Sequence, residues 1–325
     1  MQIEKQKQFN DIVLLIKQAQ GKAVKAVNKE LIDLYWSIGQ YISTKIESSA
    51  WGDSIVKELA EFLSRTEPAL KGFSDKNLWR MKQFYETYRD SAKLSPLVRE
   101  ISWTNNLAII TRTKSEAEQE FYLRMCIAEN YSKRELERQI SSSLFERTML
   151  GNTKLSPVAR EIHPDITSSF KDNYIFEFLG LPEQCNESEL QKGLIIQMKN
   201  FILELGKDFI FMGEEYRVQV GNSDFFIDLL FYHRGLQCLV AFELKAEKFK
   251  PEHLGQLNFY LEALDRDVKK SNENPSIGVL LCKDKDNEVV EYALSRSLSP
   301  TMVSEYQMQL PDKRLLQRKL QELSE

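Results

Sequence analysis

Asp228, Glu243 and Lys245 are the residues of this chain whose types and spacing could do chemistry. Asp228 interrupts the apolar run FFIDLLFYH, and Glu243 and Lys245 interrupt the apolar run CLVAFELK. Both runs are short and rich in aromatic and β-branched residues, and the turn-sized RGLQ separates them, so they read as neighbouring inner strands. A charge in such a strand is costly unless it is paired or holds an ion. Glu243 and Lys245 are two apart and leave the same face of one strand, and the turn can carry Asp228 to that face. Two carboxylates converging in an apolar setting raise each other's pKa unless a cation lies between them, and a hard divalent ion takes oxygen ligands. The residues alone also permit a structural reading, in which Lys245 is the buried ion-pair partner of Asp228 or Glu243.

The elements that would position these residues follow from periodicity. A helix is expected over 188–205, with Leu190, Leu194, Met198, Phe201 and Leu205 on one face. EEYRVQV alternates like a strand, a helix should open near Pro251 and run to about 268, SIGVLLC reads as a buried strand, and VVEYALS as a strand or short helix. Together these predict an α/β arrangement on a mixed sheet. The front half reads as all-α. Apolar residues recur at three- and four-residue steps over 9–46, as two helices with a break at Gly21, and a third helix is expected over 53–65. Ser74 can cap the next helix, whose stripe Leu78, Met81, Tyr85 and Tyr88 should pack inward. A second stripe, Lys76, Arg80, Gln83 and Thr87, holds no acid and could lie along a nucleic-acid backbone. Further helices are expected over 116–129 and 132–147, the latter opening on the capping-box pattern Ser132-Lys-Arg-Glu135. The boundaries expected are a helical domain over 1–150 with a possible helix-turn-helix, a linker over 151–172, and an α/β domain over 173–325.

Composition excludes several classes. A chain of 325 residues, 42% hydrophobic and 28% charged, has apolar material for two folded domains and too much of it for disorder. Cys126, Cys185, Cys238 and Cys282 make no metal-ligand spacing with His163, His233 and His253, so neither a zinc site nor a disulfide framework is expected. The start, MQIEKQKQFND, lacks the apolar core of a signal peptide, and no run is long enough to cross a bilayer; a cytoplasmic protein without membrane attachment is expected. No Gly-rich phosphate loop, GxSxG or HExxH is present. Residues 1–170 carry a balance of +3 and residues 171–325 a balance of −7, as suits a nucleic-acid-contacting front and a cation-holding back.

Asp followed by Glu-x-Lys on the next strand resembles the PD-(D/E)XK nuclease pattern, here Ile227-Asp228, 14 residues, then Glu243-Leu244-Lys245. The surrounding DFFIDLLFYHRGLQCLVAFELKAEKFKPEHLGQLNFYLEALD is similar to the nuclease domain of the YhcG family of bacterial proteins. NKELIDLYWSIGQYI, GFSDKNLWRMKQFYETY and ISWTNNLAII resemble that family's helical N-terminal domain, so the resemblance covers nearly the whole chain. It implies a restriction-endonuclease-like fold in which Asp228, Glu243 and the backbone carbonyl of Leu244 hold Mg²⁺ (or Mn²⁺). Lys245 would orient water or stabilise the phosphorane, or, deprotonated, act as base. Gln256 matches a position where related nucleases carry a site Gln. Many carry a Glu on the first core helix; Gln191 aligns there, with Glu187 and Glu189 close by. Lys76, Arg80, Gln83 and Lys248 would contact nucleic acid. DNA, ahead of RNA, is the implied substrate, with a homo-oligomer and defence or restriction subunits as partners. The rival from another class is an inactive DNA-binding or scaffold subunit of such a complex.

Overall fold

The computed structural model describes residues 2–48, 53–151, 153–164 and 166–322. The chain divides into two compact units, Met1–Ile140 and Ser141–Glu325.

The first unit is helical. Its helices are Gln2–Glu47, Asp53–Thr66, Asp75–Tyr88, Trp103–Arg112, Glu116–Glu129 and Lys133–Ser141. The expected break at Gly21 does not occur. One interior glycine costs a helix only about 1 kcal/mol relative to alanine, and its neighbours are mostly good helix formers. Ser74 accepts from the Asn77 amide at 3.4 Å, as its capping position predicts. Both capping-box bonds form between Ser132 and Glu135, at 3.3 and 2.7 Å. Eight residues separate Thr66 from Asp75, whereas a helix-turn-helix uses a turn of about three or four. Leu78, Met81 and Tyr88 are buried as expected, but Phe84, not Tyr85, completes the inward face.

Gly39 permits a close approach in this unit. A Cβ there would lie 2.1 Å from the Met81 carbonyl oxygen, so the helices Gln2–Glu47 and Asp75–Tyr88 touch backbone to backbone. Gly39→Ala is therefore expected to destabilise the protein by about 1–3 kcal/mol, as overpacking does. Gly21→Ala, with open space around the new methyl, should stabilise by up to about 1 kcal/mol. Urea unfolding of the two variants checks the contrast.

The second unit holds a mixed sheet. Its strands are β1 (Lys154–Leu155), β2 (Asn173–Ile175), β3 (Phe209–Val220), β4 (Ser223–His233), β5 (Cys238–Lys248), β6 (Ile277–Asp284) and β7 (Thr301–Gln307). Their order is β1-β7-β6-β5-β4-β3, with β2 also pairing β7. β3, β4 and β5 form an antiparallel meander; β5, β6 and β7 are parallel. The parallel steps need crossovers, which the helices His253–Ala263 and Asn287–Leu294 supply. Residues 151–172 lie inside this unit, where β1 pairs with Met302 and Val303 of β7.

Two expectations are corrected, and one left between two alternatives is decided. The helix expected over 188–205 is two, Glu187–Ile196 and Met198–Leu205, because Gln197 leaves helical geometry at φ −101°, ψ 27°. The helix expected over 132–147 stops at Ser141 because Ser143 is left-handed at φ 55°, and Leu144–Leu150 follows. VVEYALS is helical, with Asp286 accepting from the amides of Glu288 and Val289. Apolar clusters cover the sheet. One gathers Leu190, Leu194, Phe201, Phe231 and Phe242. The other gathers Leu230, Leu257, Tyr260, Leu261 and Leu280.

Candidate active site

The β4–β5 ladder runs from His233–Cys238 to Leu229–Phe242 and stops. The next positions are Asp228 and Glu243. Instead of a backbone bond, the Asp228 carboxylate reaches over and its Oδ2 accepts from the Leu244 amide at 2.8 Å. The Asp228 carbonyl, which the lost ladder would leave unmatched, accepts from Gln191 Nε2 at 3.1 Å. Ile227 and Leu229 are two apart yet pack into different clusters, although alternate residues of a regular strand share a face. The strand therefore twists sharply through Asp228. On β3, Glu215 is held at φ 41° between residues paired with Leu229 and Ile227. A left-handed glutamate of this kind stores strain.

Glu243 is 2% exposed. Its Oε1 accepts from Lys245 Nζ at 2.9 Å, while its Oε2 is buried with no hydrogen-bond partner. Lys245 Nζ also lies 3.7 Å from Glu187 Oε2. Burial, then the charge of Asp228, pushes the Glu243 carboxyl up to about 7, against the pull of Lys245. Burial likewise raises Asp228, opposed by its bond from the Leu244 amide. Burial would lower the Lys245 ammonium, but the bond to Glu243 and the charges of Glu243, Glu187 and Asp228 outweigh it, and the net direction is up. Lys245 thus stands beside the acids as an ammonium rather than as a free amine.

An orphaned carboxylate oxygen in a buried site is a strong demand for a partner. Glu243 Oε2, with Asp228 and the Leu244 carbonyl at the same strand divergence, is an all-oxygen donor set of the kind Mg²⁺ or Mn²⁺ accepts. The residues present fit such an ion. Among the described residues no group of three or more His, Cys, Asp and Glu forms a ready-made metal cage, so any ion here would rest on two acids and backbone or water oxygens.

The other expected site residues lie as follows. Gln256 donates to the Tyr260 hydroxyl at 2.6 Å rather than to the acids. Lys248 pairs loosely with Asp284 at 3.5 Å in solvent. In the first unit Lys76 and Gln83 are exposed, while Arg80 is half-buried. Among the described residues neither Lys76 nor Arg80 meets a carboxylate. Two further neighbours of the site stand out, one of them named beside the aligned position and one not. Glu187, rather than the aligned Gln191, is the first-helix acid beside Lys245. Glu189 is occupied by capping, since it exchanges both capping-box bonds with Asn186. That pattern, Asn186-x-x-Glu189, is legible in the sequence and would have set Glu189 aside. Tyr260 is the second. It is buried on the helix after β5, and its hydroxyl feels the charges of Glu243, Asp228 and Lys245.

Known proteins resemble this chain over most of its length. A sequence model described as the YhcG PDDEXK nuclease domain matches residues 167–321, and one described as the DUF1016 N-terminal domain matches residues 11–147. A protein of Escherichia coli (strain K12) named "Putative nuclease YhcG" is 30% identical over 346 residues, spanning 94% of this chain and 90% of that one. A crystal structure of a repair endonuclease from Pyrococcus abyssi aligns with TM-score 0.28 and 18% identity over 40% of this chain; the match spans half of that protein's length. Among the described residues no helix is long and apolar enough to cross a membrane. With its helical front, its mixed sheet and the Asp228, Glu243 and Lys245 cluster where β4 and β5 part, the chain belongs to the YhcG family and carries that family's PDDEXK nuclease domain.

Proposed function

We propose that this protein is a metal-dependent endonuclease that hydrolyses phosphodiester bonds in DNA. The observation that carries the reading is the buried, unpartnered Oε2 of Glu243 beside Asp228 and an ammonium. Asp228, Glu243 and the Leu244 carbonyl would hold Mg²⁺ or Mn²⁺. When bound, that ion supplies Lewis acidity toward the scissile phosphate and a lowered pKa for attacking water. The chain's own residues do the rest. The Leu244 amide fixes the Asp228 carboxylate, and Gln191 fixes the backbone behind it. Lys245 carries positive charge to the place where a phosphorane would develop negative charge, which is electrostatic stabilisation by a preorganised group. The bond from the Tyr306 hydroxyl to the Lys245 carbonyl, 3.2 Å, holds that stretch of strand. Gln256, exposed and donating to the buried Tyr260 hydroxyl, would meet substrate or water.

The front unit would grip DNA through Lys76, Arg80 and Gln83. Phosphate contacts of this kind give affinity without sequence preference and fall with salt. Lys76→Ala is expected to weaken DNA binding uniformly across sequences and to reduce the slope of log affinity against log salt by about 1. Fluorescence anisotropy at several salt concentrations measures it.

The test of the whole reading is conversion of supercoiled plasmid in Mg²⁺ or Mn²⁺ against a chelator control. Nicking that requires the ion supports the enzyme. DNA binding without cleavage under either ion would instead mean an inactive binding or scaffold subunit of a defence or restriction complex.

A further inference from the structure

Phe259 is 37% exposed on the helix His253–Ala263, the crossover that follows β5 and carries Gln256 and Tyr260. Single exposed apolar side chains are ordinary on a protein surface, and this one is set apart by its surroundings. Gly255 and Gln256 stand four and three residues before Phe259, on the same exposed side of the helix. A Cβ on Gly255 would meet nothing within 4 Å, so one turn before the ring the helix surface is bare. From the sheet, Phe225 of β4 reaches the same place. Its ring centroid lies 4.6 Å from that of Phe259, at an interplanar angle of 59°. Phe225 is half-buried and packs on the cluster beneath the helix, so it braces Phe259 and leaves it open to solvent. The place adjoins the candidate active site on both elements. Phe225 stands three residues before Asp228, about 10 Å along the strand. Phe259 precedes Tyr260, whose hydroxyl accepts from Gln256 and feels the charges of Glu243 and Asp228.

We propose that Phe259, braced by Phe225 and with the open place at Gly255 beside it, stacks on an unpaired base next to the scissile phosphate, so that the substrate is DNA with unpaired nucleotides rather than intact duplex. The choice of DNA rests on the hydrolytic reading of the same site. A phenyl ring offers its face to a flat apolar surface, and every base has such a face. In an intact duplex those faces are covered by the neighbouring pairs, and freeing one is costly, least so where the base is already unpaired. Phosphates find less to hold here. Arg217 on β3 is engaged by Asp224 at 2.8 Å, and Arg266, after the helix, by Glu262 at 2.6 Å. The bare turn at Gly255 admits the edge of a base or sugar where a larger side chain would stand.

The test uses the full chain and three fluorescein-labelled DNAs of one sequence: the single strand, its duplex, and the duplex with a short unpaired bubble. Anisotropy in chelator reads affinity without turnover. Wild type is expected to bind the single strand and the bubble more tightly than the duplex. Phe259→Ala should weaken binding to those two by about 5-fold or more, the loss of one stacked base, and leave the duplex unchanged. Phe259→Trp keeps a stacking face and should retain wild-type affinity. Gly255→Leu fills the open place, favours the helix, and should weaken binding to the same two DNAs. Thermal melting reports whether each variant is folded. A folded Phe259→Ala with unchanged binding overturns the proposal, as does an equal loss on all three DNAs or a Phe259→Trp as weak as Phe259→Ala. So does a folded Gly255→Leu with wild-type affinity for the bubble. Cleavage of the same DNAs in Mg²⁺ or Mn²⁺ is read separately. A wild type that cuts none of them ends the hydrolytic reading, while the anisotropy contrast decides the stacking on its own. Preferred cutting of the intact duplex leaves hydrolysis standing and overturns the unpaired substrate.

Discussion

Asp228→Asn is expected to reduce ion-dependent DNA cleavage by about 10³-fold or more without unfolding the protein. The substitution keeps the oxygen that accepts from the Leu244 amide and keeps the volume, so the divergence of β4 and β5 survives. What it removes is one of the two negative charges of the proposed ion site. It also removes the charge that helps to raise Glu243, so without metal the variant should be at least as stable as wild type. The combination discriminates. A residue held for structure alone loses stability when changed, because breaking a buried charge pair costs about 3–5 kcal/mol; a residue held for chemistry loses rate and keeps its melting temperature. Plasmid nicking rates beside thermal melts in chelator decide between them. Cleavage at the wild-type rate would remove Asp228 from the mechanism.

The parts legible in the sequence and the parts hidden from it differ for physical reasons. Asp228, Glu243 and Lys245 stand out because burial makes a charge in an apolar strand conspicuous, and strand period with a short turn is enough to bring them close. Glu187 does not stand out, because it sits half in solvent among other acids at a helix start, where glutamate is common for capping and dipole reasons. Tyr260 and Gln256 need the crossover between two parallel strands to reach the site, and crossover geometry is a tertiary fact. Lys248 follows the site directly in sequence, but its neighbour across the sheet, Asp284, comes from another strand and is hidden from strand periodicity. The same holds for the fold. β7, with its mixed text TMVSEYQ, is a strand because β6, β1 and β2 all pair with it. The breaks at Gln197 and Ser143 are single-residue backbone choices that helical periodicity on either side conceals. Gly21 shows the reverse, since a residue that often ends helices is overruled by its neighbours on both sides.

Stability without divalent ions is expected to fall as pH rises from about 4.5 to above 7, and added Mg²⁺ or Mn²⁺ should reverse the trend. The sign follows from Glu243. Its carboxyl is raised from 4.5 in the unfolded chain to about 7 in the fold. Between those values the folded state binds the proton more often than the unfolded state, so the slope of unfolding free energy against pH is negative. The contribution is fully present below the unfolded value and is lost as pH passes the folded one. A shift of this size corresponds to about 3 kcal/mol. Asp228, also raised, works in the same direction, while the raised Lys245 changes charge only in alkaline solution, outside this window. A divalent ion binds the deprotonated acids and meets the orphaned Oε2, so its stabilising effect should be small at pH 5 and large at pH 8. Glu243→Gln should flatten the pH profile in chelator and abolish most of the ion-induced rise in melting temperature. Urea unfolding across this range, with chelator and with each ion, measures all of these. A metal-free protein that gains stability toward pH 8, or an ion effect that is equal at pH 5 and pH 8, would show that the Glu243 carboxylate is not the group that receives the ion.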